Sequence, residues 1–227
     1  MTDDAPRTPG SKRPVGPGRN PQRATAPGGA GRVIAGVARG RRLAAPGEGT
    51  RPLTDRLKQS LFAIIEPEIR DRAFLDLFAG SGAGGIEALS RGASSAVFVE
   101  KHPGAVHMVE RNLRTSSLLG PRARIVPKEA IGWLASDDAR TTAEPAGFTA
   151  ILVDPPYDSP DLLRRAMASI AAAGPGAILA ADGVVIAKHL RKEEQPATVG
   201  LLRSGREERF GDTGLTFYRW TEGEEDR

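Results

Sequence analysis

The 227-residue chain contains no cysteine. A disulfide framework, a thiolate nucleophile and a cysteine-based zinc site are all excluded by that absence. No stretch approaches the roughly 20 consecutive apolar residues that a membrane-spanning helix needs. Basic residues near the N-terminus are followed by no apolar run, so no secretory signal is expected. Histidine is scarce: His102, His107 and His189 are scattered, with no HxxxH or His-carboxylate spacing. They read as surface residues, and no metal site is expected. There is no GK[ST] phosphate loop and no internal repeat at a fixed period. A cytoplasmic, metal-free, monomeric protein is the expectation.

What is present suits one domain with appendages. The formal charge is +4 and the isoelectric point about 9.7, which makes a polyanionic partner plausible without specifying it. Residues 1–31 carry Arg7, Lys12, Arg13, Arg19 and Arg23 against Asp3 and Asp4, in a stretch crowded with Pro and Gly. With so few large apolar side chains it cannot bury enough surface to offset chain entropy, so it reads as a disordered basic arm. Either a dispensable tail or weak, nonspecific RNA contact would fit it. Residues 222–227 read as a polar, frayed tail.

Between these ends, 32–221 reads as one catalytic domain, with a hairpin and helix over 32–72 and a core over 73–221. The hairpin pairs Arg32-Val33-Ile34-Ala35-Gly36 with Arg41-Arg42-Leu43 around a turn near Arg39-Gly40. Its four arginines (Arg32, Arg39, Arg41, Arg42) are unrelieved by any acid, and Arg51 follows just beyond. Thr54 is placed to cap a helix whose first turn carries Asp55. Leu57, Leu61, Ile64 and Ile65 then repeat at helical spacing. From residue 73 the pattern alternates. Strands are predicted at 74–78, 96–99, 124–126, 148–153 and 183–187, and helices at 86–91, 105–113, 130–134 and 162–173. Such alternation predicts a Rossmann-like α/β fold, a mostly parallel sheet with helices on both faces. Two extended stretches over 208–220, around Gly211-Asp212-Thr213-Gly214, read as a closing hairpin.

Two motifs carry chemistry. Asp76-Leu77-Phe78-Ala79-Gly80-Ser81-Gly82 leaves the first strand through a glycine-rich loop. Gly80, Gly82 and Gly84 allow a tight turn and close approach of a ligand, in a spacing unlike the dinucleotide GxGxxG. The loop therefore suits a nucleoside-bearing ligand without a pyrophosphate. Glu100, ending the next strand, is placed to accept hydrogen bonds from ribose hydroxyls, unless it merely caps the following helix. Asp76 either faces the ligand's amino group or binds loop amides. Phe78 packs on the ligand or in the core. Glu129 reaches an adenine amine or serves a helix N-terminus, which favours an acid regardless. Asp154-Pro155-Pro156-Tyr157 ends an apolar strand, and two prolines force the chain out of the sheet there.

Together the motifs suggest methyl transfer from S-adenosylmethionine (SAM) to an exocyclic amine. Such an amine is a poor nucleophile because its lone pair is delocalised into the ring. The Asp154 carboxylate and Pro155 carbonyl can accept its two hydrogens and aim the lone pair, while Tyr157 stacks on the extruded base. A charged strand end with a Pro-Pro turn is the bland alternative. Trp133 and Trp220 read as packing residues.

These blocks, with Thr50–Arg56, Glu87–Ala93, Phe98–Lys101 and Arg209–Thr213, resemble the RsmD family of bacterial 16S rRNA guanine-N2 methyltransferases. The resemblance covers about residues 32–220 and implies that SAM binds through Gly80, Gly82 and Glu100, with Asp76, Phe78, Ser81 and Glu129 as further candidates beside them. It implies Asp154 and Tyr157 at the target base, beside the Pro155 carbonyl. It implies the rRNA of a 30S particle or its assembly intermediate as substrate, bordered by Arg51, Thr54 and Arg56; the arginine run Arg32, Arg39, Arg41 and Arg42, with Pro156, completes the candidate RNA side. Lys128-Glu129 stands where Gly-Asp is common, and Lys188-His189 where an acidic residue precedes His. Rival readings are an N-methyltransferase acting on DNA adenine or protein glutamine, a small-molecule methyltransferase, and an inactive RNA-binding assembly factor. Asp rather than Asn at 154 argues against the first, and the arginine cluster against the second.

Overall fold

A computed structural model describes residue 1 and residues 31–45, 53–143 and 145–221. The expected basic arm, the polar tail and Arg51 lie outside the described residues, Met1 and Gly31 apart. Five strands form the parallel half of one sheet: β1 (Ala73–Leu77), β2 (Ser95–Val99), β3 (Ala123–Val126), β4 (Phe148–Val153) and β5 (Leu179–Leu190). Three more, β6 (Thr198–Val199), β7 (Leu202–Phe210) and β8 (Thr213–Trp220), add antiparallel to β5. The order across the sheet is β3-β2-β1-β4-β5-β8-β7-β6. The central strands are buried along nearly their whole length, as parallel strands covered on both faces must be.

Two apolar clusters make the two faces. One joins the N-terminal segment, α1 (Asp55–Ile69), α2 (Ala83–Ser90) and α3 (Pro103–Thr115) to the sheet through Leu61, Phe62, Phe74, Phe98 and Val109. The other packs α4 (Ala130–Leu134), α5 (Asp137–Ala143) and α6 (Pro160–Ala173) through Leu75, Trp133, Phe148 and Ile170. Trp133 is thus a packing residue, its indole N–H donating to Asp138 at 3.0 Å. Trp220 likewise packs on this cluster.

The predicted strands and helices are present, and the differences have local causes. α5 holds only Ala139 and Ala143 as buried residues, too few for a legible period. β5 begins four residues earlier than expected, because a register shift against β4 absorbs the turn-like Asp182-Gly183 without ending the strand. The expected N-terminal hairpin closes through one antiparallel bridge, Arg32 with Arg42, rather than a longer ladder.

Beyond that bridge and a bond from Gly40 N–H to the Val33 carbonyl at 2.8 Å, this segment binds the rest of the protein. Ile34 and Ala35 donate their backbone N–H groups to the buried Glu87 carboxylate at 2.8 and 3.1 Å. Ala38 N–H donates to Ser90 Oγ at 2.9 Å. Gly36 has φ +81°, and a Cβ there would lie 1.7 Å from the Ser90 carbonyl oxygen, so only glycine fits. Buried Lys58 donates to the Arg32 carbonyl at 2.5 Å. The Glu87–Ala93 block is therefore the receptor for the N-terminal segment.

Candidate active site at the switch point of the sheet

β1 pairs with β2 on one side and β4 on the other, so chain connections leave in opposite directions between β1 and β4. Loops after these two strands face each other at the carboxyl edge, where open α/β sheets bind ligands. The glycine loop follows β1, and Asp154-Pro155-Pro156-Tyr157 follows β4. Register fixes their proximity: Leu77 pairs with Val153, and Asp154 N–H reaches the Leu77 carbonyl at 3.4 Å.

On the cofactor side, Phe78 adopts φ +69°, a left-handed conformation costly for an aromatic residue. Such strain marks functional loops. Phe78 is half-buried and packs against the α4–α6 cluster. Gly80 has φ +55° and, apart from the Phe78 carbonyl oxygen at 4.0 Å, no heavy atom within 4 Å of where its Cβ would be. The loop backbone there lies open. Glu100 is buried beside it, its carboxylate accepting from Gly80 N–H at 2.9 Å and His102 N–H at 2.8 Å. Gly84 lies inside α2 and takes no part in the turn. A Cβ there would crowd Leu152 and Asp76, so it is a packing glycine.

Asp76 holds the first turn of α2, its Oδ2 accepting Gly85 N–H at 2.8 Å. Burial pushes its carboxyl up to about 7, against the pull of Gly85 and with a further push from Asp154 and Glu100. Glu129 caps α4, accepting Ile131 and Gly132 N–H groups at 3.1 and 2.7 Å. The adenine role offered for Glu129 gains no support from that geometry. Ser81 is buried, and its carbonyl accepts from Asn112 Nδ2 at 2.9 Å. Asn112 also exchanges two hydrogen bonds with the Ala44 backbone, tying the cofactor loop to the N-terminal segment. A lone Asn in a helical pattern gave no signal of this.

On the other side, Asp154 does not stand alone. Val153 pairs with Ala187, which brings Lys188 abreast of Asp154, and Lys188 Nζ donates to Asp154 Oδ1 at 2.5 Å. The lysine side chain is 3% exposed and the aspartate 17%. Burial raises the Asp154 carboxyl above its ordinary value, and Lys188 opposes that rise. Burial would lower Lys188, but Asp154 and Tyr157 outweigh it and hold the ammonium above the usual lysine range. The same Nζ lies 4.7 Å from the Tyr157 ring centroid, and the Tyr157 hydroxyl bonds Thr213 Oγ1 at 3.0 Å. Pro155 is buried and Pro156 exposed.

His189, expected at the surface, is 2% exposed. Its ring bonds Thr216 Oγ1 and the Leu190 carbonyl, each at 2.9 Å, because β5 is covered by β8. His102 and His107 are exposed. Arg32, Arg39, Arg41, Arg42, Thr54 and Arg56 are all exposed; Arg32 also pairs with Asp55 at 3.2 Å, and Thr54 caps α1 through Leu57 N–H. Among the described residues no group of three or more acids and histidines is placed to hold a metal ion, and no helix is long and apolar enough to cross a membrane. A groove of about 420 Å³ between α6 and residues 193–199 contains none of the motif residues.

A family model described as conserved hypothetical protein 95 matches residues 31–219. The chain belongs to that family, and the RsmD resemblance read from the sequence holds. YlbH of Bacillus subtilis (strain 168) is 40% identical over 189 residues, covering 83% of this chain and 98% of its own length. Ribosomal RNA small subunit methyltransferase D of Escherichia coli (strain K12) is 39% identical over 127 residues, 56% of this chain and 60% of its own. The solved structure of E. coli yhhF superposes with a TM-score of 0.71 at 30% identity, covering 85% of this chain and 98% of that one.

Proposed function

We propose that this chain methylates the exocyclic N2 amine of a guanine in 16S rRNA, using SAM. That it is an rRNA methyltransferase of the small subunit follows from its family and named relatives. The observation that carries the finer reading is the meeting of Asp154 with the glycine loop and Glu100 at one switch point. A strained loop, an open backbone at Gly80 and a buried carboxylate at the end of β2 suit a ribose-bearing cofactor. SAM, when bound, supplies a methyl group activated by a sulfonium.

The chain's own residues do the rest. Glu100 accepts the ribose hydroxyls through lone pairs that its two amide partners leave available. Asp154 and the Pro155 carbonyl accept the two amine hydrogens, drawing the nitrogen toward tetrahedral geometry. The nitrogen–methyl bond forms as the methyl–sulfonium bond breaks, which leaves a neutral thioether, and one amine proton passes to solvent. Tyr157 supports the base, and Arg39, Arg41 and Arg42 contact phosphates from their exposed positions.

The test is transfer of labelled methyl from SAM to undermodified 30S subunits, free 16S rRNA and duplex DNA, followed by nucleoside analysis. N2-methylguanosine from 30S or rRNA is the expected product. Label in DNA, or in none of the three, overturns the substrate assignment.

A further inference from the structure

We infer that Lys188 is a positioning residue of the reaction, a buried cation that fixes the orientation and charge of Asp154 and seats Tyr157. The inference rests on the role given to Asp154 above. Three observations converge on it. Register brings Lys188 abreast of Asp154 at the carboxyl edge of the sheet. Its Nζ donates to Asp154 Oδ1 at 2.5 Å and lies 4.7 Å from the Tyr157 ring centroid. Its side chain is 3% exposed, so water cannot take over either contact.

One ammonium thus holds both side chains that meet the target base. With Oδ1 engaged, the carboxylate is pinned about its terminal torsion, and an incoming amine meets Oδ2. A buried carboxylate without a partner takes up a proton, and a protonated acid donates where the reaction needs an acceptor. Lys188 opposes that protonation. Tyr157 is held from two sides, by the ammonium against its ring and by Thr213 at its hydroxyl, which limits where a base can stack. The lysine comes from β5 and the threonine from β8, the antiparallel neighbour that also buries His189.

Among the described residues, burial, with Asp154 and Glu100 beside it, pushes the Asp76 carboxyl of β1 up to about 7. What raises Asp154 itself is burial, and Lys188 on β5 is the cation that opposes it; Tyr157 lies across that ammonium, and His189 turns away to Thr216 and Leu190. Removing the lysine therefore leaves the burial of Asp154 unopposed.

The experiment compares the full chain with K188M, K188R, K188Q and D154N. SAM affinity is measured by calorimetry, kcat and KM on the acceptor that takes label, and the Asp154 titration by carbon-13 carboxyl resonance. K188M is expected to lose about a hundred-fold in kcat near neutral pH, the scale of a misplaced reacting group, with KM and SAM affinity little changed. Its acidic kcat limb and its Asp154 titration should both move to higher pH, and K188R should recover much of the loss. Wild-type kcat with an unmoved Asp154 titration in K188M overturns the inference, as does a gain in kcat. Should K188M fail to bind SAM, K188R must exceed K188Q in kcat, with the Asp154 titration raised only in K188Q; equal behaviour overturns it. Turnover retained in D154N would instead sink the reading of Asp154 itself.

Discussion

The two halves of the site hold their carboxylates by different means. On the candidate cofactor side each acid rests on backbone amides: Asp76 on Gly85, Glu129 on Ile131 and Gly132, and Glu100 on His102 and, across from the neighbouring strand, on Gly80. On the chemical side the partners are side chains from distant strands: Asp154 on Lys188, Tyr157 on Thr213. Amide-held acids follow from loop and helix-end geometry and tolerate change in the surrounding side chains. Side-chain-held groups depend on sheet register, and one distant substitution can disturb them.

That contrast can be broken most sharply at Asp154. Asp154→Ala should lower methyl transfer by at least about a hundred-fold while SAM affinity, measured by calorimetry, stays nearly unchanged. Comparable losses in both would mean the halves are not separable.

Glu100→Ala should do the reverse, weakening SAM roughly ten- to hundred-fold through lost charge-assisted hydrogen bonds. A dissociation constant equal to wild type removes the ribose contact.

A smaller effect is expected from Asp76. Its folded carboxyl is raised to about 7, so between its ordinary value and neutrality the folded state binds more protons than the unfolded. Stability from this group is present at low pH and lost as pH rises through that window, on the order of 1 kcal/mol per pH unit. Melting temperatures of wild type and Asp76→Asn across this range check it, because the variant should lose that part of the slope.

Least in magnitude is charge reversal at Arg41 and Arg42. Affinity for 30S subunits or rRNA should fall, and the slope of log affinity against log salt should flatten by about 2. An unchanged slope would make these arginines an ordinary solvated face.

Much of this was legible in the chain. The alternation from residue 73, the glycine loop and Asp154-Pro155-Pro156-Tyr157 all rest on short-range rules: strand composition, turn chemistry, the exclusion of proline from a ladder. The Thr54 cap and the closing hairpin were readable for the same reason. Lys188-His189 was visible only as an oddity, a cation and an imidazole in an apolar strand, with nothing local to say what they face. Asn112 gave no signal, because its partners Ala44 and Ser81 are joined to it only when α3 packs beside the N-terminal segment.

By itself, then, the sequence determined the fold class, the order of the elements and which two loops carry the candidate motifs, since each depends on interactions within a few residues. The tertiary structure alone decided that Lys188 stands against Asp154, that His189 is buried and that Glu87 and Ser90 receive the N-terminal segment. Those pairings depend on strand register and helix packing, which bring together groups that no local pattern connects.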